Sequence, residues 1–143
     1  AISHLSLIVE NKNGKIITEK NALNSYVIGN ETHLINVLVN ILDNAIKYND
    51  NIPEIKVETQ NINGKIFINI IDNGIGMSKS VQSKIFEKFY RKQTGDLHDV
   101  KGHGLGLAYV KKIINFHNGN ISVESVIGEG STFTIQLNTL TNN

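Results

Sequence analysis

Two stretches of helical periodicity stand among β-rich runs that come in pairs, and that order restricts the folds open to this chain. Between Glu31 and Tyr48, the residues Leu34, Leu38, Ile41, Leu42 and Ala45 recur on one side at about 100° per residue. Asn30 is placed to cap this helix with Glu31 in its first turn, and Asn49, Asp50 and Pro53 stop it. Leu105–His117 repeats the pattern, with Leu107, Val110, Ile113 and Ile114 inward and Gly119 as the stop. Between and around these helices, Leu5–Glu10 and Lys15–Thr18 read as a hairpin through Asn13-Gly14, and Tyr26–Ile28 as a short strand. Ile55–Thr59 pairs with Lys65–Ile71 through Asn63-Gly64, and Ile121–Val126 with Thr132–Leu137. Ser78 caps a short helix through Val81–Phe89, and Arg91–Lys101 is a polar loop without apolar period. Strands grouped in hairpins predict a mixed, mostly antiparallel sheet with three helices on one face. The fold class is therefore α+β, a two-layer sandwich.

At 143 residues the chain suits one domain spanning 1–143. A formal charge of +1 offers no electrostatic case for nucleic acid. With no cysteine, a disulfide framework and a Cys-based zinc site are excluded. No apolar run reaches the roughly 20 residues that span a bilayer. The first residues run straight into a β-rich segment without an initiating Met, as expected of a piece of a longer protein.

Chemistry concentrates in a few blocks. Asn40 and Asn44 lie four apart on one helical face, with Lys47 and Tyr48 on the same side, opposite the apolar stripe. Asn is a mediocre helix former, so two in mid-helix cost about a kcal/mol against Ala. An amide oxygen is a neutral hard ligand, suited to Mg²⁺ whose charge is balanced by phosphates. Lys47 can meet a phosphate and Tyr48 can flank a base or ribose. Asp72 follows an apolar strand, so its carboxylate can lie at the floor of a pocket and needs donors there. An adenine amino group would serve, and Gly74 and Gly76 let the backbone approach a flat base closely. Met77 closes the same block, and Thr132 can support the contact through its hydroxyl. Gly102-His103-Gly104-Leu105-Gly106-Leu107 opens the second helix with backbone N–H groups that attract phosphate. Phe86 and Phe89 are suited to anchor a lid whose moving part is Arg91–Lys101.

With these residues in view, the chain resembles the catalytic and ATP-binding domain of bacterial sensor histidine kinases, within the GHKL ATPase superfamily. NILDNAIKY (Asn40–Tyr48) is similar to the N box, DNGIGM (Asp72–Met77) to the G1 box and FEKFYR (Phe86–Arg91) to the F box. GHGLGL (Gly102–Leu107) is similar to the G2 box and GEGSTF (Gly128–Phe133) to the terminal glycine box. The resemblance implies a Bergerat fold, ATP and Mg²⁺ as ligands, and Asn44 as the metal ligand with Asn40 beside it. It also implies Asp72 as acceptor of the adenine amino group, supported by Thr132. Gly102, Gly104 and Gly106 would form the lid hinge and phosphate turn. By the same resemblance Lys47 and Tyr48 flank phosphate and base. Asn40 and Lys47 act at the transferring phosphate, while Met77, Phe89, Arg91, Lys101, His103, Leu105 and Leu107 border the nucleotide.

Hydrolysing members of the superfamily, gyrase and heat-shock chaperones, carry a water-activating Glu four residues before the metal-binding Asn. Here that position is Asn40, an amide that accepts no proton at neutral pH. The resemblance thus implies a phosphoryl donor to a histidine. None of the five histidines lies in a phosphoacceptor motif, so the dimerisation and phosphoacceptor domain is expected to precede residue 1. A response regulator, a homodimeric membrane-anchored parent and a cytoplasmic location follow from the same resemblance. The alternatives are a serine kinase of the anti-sigma-factor type and a nucleotide-sensing module without catalysis.

Overall fold

The computed structural model describes residues 9–11, 13–23, 26–87 and 106–140. Strand β1 is Lys15–Lys20, β2 Glu54–Ile62, β3 Lys65–Asp72, β4 Asn120–Val126 and β5 Gly130–Asn138. Helix α1 is Glu31–Lys47, α2 is the single turn Lys79–Gln82, and α3 is Gly106–Phe116. The sheet runs β1-β2-β3-β5-β4, with β1 parallel to β2 and every other pair antiparallel. The mixed, mostly antiparallel sheet of the sequence reading is thus present.

Register shows why one face is buried. Val57 lies opposite Ile70, Ile70 opposite Phe133, and Phe133 opposite Val123. The next row is Thr59, Ile68, Ile135 and Ile121. Side chains alternate with period two, so these rows share one face. Against that face α1 packs Val37, Ile41, Leu42, Ala45 and Ile46, and α3 packs Val110, Ile113 and Ile114. Asn30 caps α1 as its spacing predicts, accepting the His33 N–H at 3.0 Å. Ser78 likewise caps α2 through the Val81 N–H, though the helix is shorter than expected.

Two strand expectations are corrected. Asn13-Gly14 does not turn a hairpin. Residues 9–11 are helical, Asn13 has φ 59°, its N–H bonds Glu10, and the Gly14 N–H reaches back to Val9 at 2.8 Å. That is a Schellman helix end. The same left-handed Asn conformation serves a hairpin turn and a helix stop, which is why the dipeptide misleads. Strand β1 instead pairs in parallel with β2, the crossover being made through α1. Tyr26–Ile28 is irregular rather than a strand. At Asn63-Gly64, by contrast, both residues have positive φ and close the β2–β3 hairpin as expected.

Candidate functional site

The apolar rows of the sheet end in a polar one. At the last position of β3, Asp72 lies opposite Ile55 on one side and Ser131 on the other, and Ser131 lies opposite Ser125. Asp72 is two residues beyond Ile70, so its side chain shares the helix-facing side of the sheet. Burial pushes its carboxyl up from the ordinary 3.8, and the N–H groups of Gly74 and Ser131 pull it partly back. Both of those N–H groups donate to Oδ1, at 2.8 and 3.3 Å. Oδ2 accepts no hydrogen bond from the described residues. A half-buried carboxylate with one oxygen spare is suited to receive an N–H donor.

The chain around Asp72 is tightly folded. Gly76 has φ +73°, and a side chain there would run into the Val126 carbonyl. Gly130 has φ +121° and packs against the Asp72 carbonyl, where no Cβ fits. The Ile75 N–H donates to the Tyr48 carbonyl at 2.9 Å, tying the turn after β3 to the end of α1. Asn73 holds the same junction. Its Oδ1 accepts from Asn49 at 2.7 Å and from the Glu54 N–H at 2.8 Å. Gln82 on α2 donates to the Met77 and Ser125 carbonyls, each at 2.9 Å, and so ties α2 to the turn after β3 and to β4.

On α1, Asn40 and Asn44 are both half-buried. Asn40 spends its amide N–H on the Asn36 carbonyl at 2.8 Å, while Oδ1 faces Gly106, the first residue of α3. The Asn44 side chain makes no hydrogen bond to a described residue, so its amide oxygen is available. Two neutral oxygens thus border the space between α1 and the start of α3. Lys47 pairs with Asp43 at 2.8 Å on the rim. Leu107 packs against the core from α3, as does Met77 from the turn after β3. Phe86 packs edge-on against Phe133, with the Lys111 ammonium 5.8 Å over its ring. Phe89, Arg91, Lys101, Gly102, His103, Gly104 and Leu105, and with them the proposed lid, lie outside the described residues.

Thr132 is corrected. It lies opposite Ile71 and Glu124, on the face of the sheet away from Asp72. The hydroxyl on the Asp72 face is that of Ser131, 9% exposed and 2.8 Å from the Ser125 hydroxyl. Alternation alone carries this signal: Phe133 is apolar and inward, so Ser131 shares its face and Thr132 does not.

Comparison with known proteins agrees with this geometry. The model of the family "Histidine kinase-, DNA gyrase B-, and HSP90-like ATPase" matches residues 29–141. Sensor protein RprX of Bacteroides fragilis is 49% identical over 145 residues, which cover 99% of this chain and 28% of that protein. Sensor-like histidine kinase SenX3 of Mycolicibacterium smegmatis is 36% identical, covering 96% of this chain and 35% of that protein. The chain therefore spans about a third of the length of these relatives. Among solved structures, the catalytic domain of histidine kinase ThkA superposes with a TM-score of 0.82 at 24% identity, covering 96% of this chain and 87% of that one. At that identity the likeness concerns the fold. With its family model matching most of its length, the chain belongs to the histidine kinase-, DNA gyrase B- and HSP90-like ATPase family.

Proposed function

We propose that this domain binds Mg-ATP and donates the γ-phosphoryl group to a histidine on the dimerisation domain of its parent sensor kinase. A response regulator aspartate then receives it. The observation that carries this reading is Asn40. Its N–H is spent on the helix backbone and its remaining oxygen cannot take a proton, so the site has no general base there to activate water. Such a pocket holds a triphosphate without consuming it.

Each residue has a task in this reading. Asp72 Oδ2 accepts from the adenine amino group, with Ser131 beside it and Gly74 and Gly76 keeping the turn flat against the base. The donor set fits a metal that arrives with its phosphates. Among the described residues no group of three or more His, Cys, Asp or Glu is gathered to hold a bare ion. Asn44, with Asn40 adjacent, supplies the neutral oxygens that suit Mg²⁺ already neutralised by triphosphate. The metal shields charge on the phosphates; the protein's share is positioning, the general mode of phosphoryl transfer. Lys47 and Tyr48 border phosphate and base. By resemblance alone, Arg91–Lys101 would be the lid over the phosphates, with Arg91 and Lys101 as charge contacts and Gly102, Gly104 and Gly106 as its hinge and phosphate-binding turn.

The parent protein is read as a membrane-anchored homodimer with this domain in the cytoplasm. Among the described residues no helix is long and apolar enough to cross a membrane. Thermal unfolding with and without Mg-ATP tests the binding half. At 100-fold excess over the dissociation constant the domain should gain about 2.7 kcal/mol. No gain at any concentration of Mg-ATP would end the proposal.

A further inference from the structure

Three contacts converge on the hydroxyl oxygen of Ser125, near the end of β4. The Met77 N–H donates to it at 2.7 Å, the Gly130 carbonyl lies at 2.9 Å and Ser131 Oγ at 2.8 Å. A hydroxyl has one proton to give and two lone pairs to offer. The Gly130 carbonyl cannot donate, so its contact is attractive only if Ser125 gives its proton there. Met77 fills one lone pair. The other is left for Ser131, which must then be the donor. The alternative assignment, Ser125 donating to Ser131, would set two lone pairs against each other at the 2.9 Å contact with Gly130.

The consequence falls on the pocket. With its proton committed to Ser125, the Ser131 hydroxyl has only lone pairs left. Its partner across the strand pair, Asp72, adds the free oxygen Oδ2 of a carboxylate. The polar end of the sheet is therefore an acceptor-only surface, although it contains two hydroxyls.

We propose that Ser125 is a positioning residue for base selectivity: by taking the Ser131 proton it makes that hydroxyl a fixed acceptor. The Ser131–Asp72 pair then favours a purine with an amino group at C6 over one with a carbonyl there. The same preference holds for direct contact and for contact through one water, since a bridging water relays the same polarity. The inference rests on the reading of this pocket as a nucleotide site.

Isothermal titration with Mg-ATP and Mg-ITP tests it on wild type, S125A, S125C and S125T. Wild type should prefer ATP. In S125A, Ser131 is free to turn its proton towards a C6 carbonyl, so ITP should bind more tightly while ATP changes little. The ATP-to-ITP affinity ratio should fall about 5- to 10-fold, the scale of one net hydrogen bond. S125C, which keeps volume with a weak donor, should move the same way and carries the test if S125A does not fold. S125T keeps the hydroxyl and should keep the wild-type ratio. A gain in ITP affinity is not something a merely structural strut would produce. An unchanged ratio in S125A and S125C, an equal loss for both nucleotides, or variants that fold and bind neither would overturn the proposal. Wild type binding neither nucleotide would instead overturn the nucleotide reading beneath it.

Discussion

Asp72 shows how a single residue can trade stability for binding. Burial raises its pKa, so folded Asp72 holds its proton more tightly than unfolded Asp72. Its contribution to stability is fully present below the ordinary value of 3.8 and is lost as pH rises through the folded value. At neutral pH the ionised carboxylate is thus a cost to the nucleotide-free domain. Asp72→Asn keeps an oxygen for the Gly74 and Ser131 N–H groups and removes the charge. The nucleotide-free variant should therefore melt higher than wild type at pH 7, and the advantage should vanish near pH 3, as read by thermal unfolding. The same change places a donor where an acceptor is required, so ATP affinity should fall by about 1–3 kcal/mol in titration calorimetry. Unchanged affinity would remove Asp72 from the base contact. Its half-buried position at the end of β3 is legible from an apolar strand ending in a carboxylate. Its hydroxyl neighbour is not legible from composition alone, because Thr132 and Ser131 are adjacent in sequence and differ only in which face of β5 they occupy.

The elements were legible wherever a period ran long enough. Helix α1, the β2–β3 hairpin and the β4–β5 hairpin fall close to their expected bounds because apolar residues repeat over several turns or alternations. Asn-Gly dipeptides were less informative, since the left-handed conformation they favour appears in unlike settings. Asn63-Gly64 turns a hairpin. Asn118-Gly119 ends α3, with Asn118 at φ 58° and the Gly119 N–H reaching Ile114 at 2.9 Å, and Asn13-Gly14 repeats that motif. What separates them is the partner of the preceding segment, which is not local. Asn118→Ala should cost about 1–2 kcal/mol in chemical denaturation, because Ala pays the left-handed penalty without compensation. Asn118→Gly should cost little. Equal losses in both variants would mean that Asn118 acts through its side-chain amide instead.

On the scale of the whole domain, two separate sets of bonds join the ends of the helices. At one end the His117 ring accepts the Asn30 N–H at 3.0 Å and meets the Ile113 carbonyl at 2.7 Å, holding the start of α1 to the end of α3. At the other, Tyr48, Asn73 and Ile75 bind the end of α1 to the turn that follows Asp72. The second junction lies beside the site and fixes where the Asn40–Asn44 face of α1 stands relative to Asp72. The approach of Asn40 to the start of α3, with the end of α1 tied to the turn after Asp72, is a property of sheet order and helix docking. Short-range pattern does not contain it; the order of the blocks hinted at it only through resemblance. If Asn40 is what withholds a base from water, Asn40→Glu should raise the slow release of inorganic phosphate from ATP by tenfold or more, the low end of general-base effects of about 10²–10⁴. A phosphate-release assay that finds no rise would assign the protection to some other feature.

Transfer of the γ-phosphoryl group to histidine can be followed by mixing the domain with the dimerisation helices of its proposed parent kinase and Mg-ATP labelled at the γ-phosphate. Label should appear on those helices as an acid-labile, base-stable phosphohistidine and should fall when Asp72 is replaced by Asn. Label on a serine, label released to water as phosphate, or ATP bound with no transfer would contradict transfer to histidine.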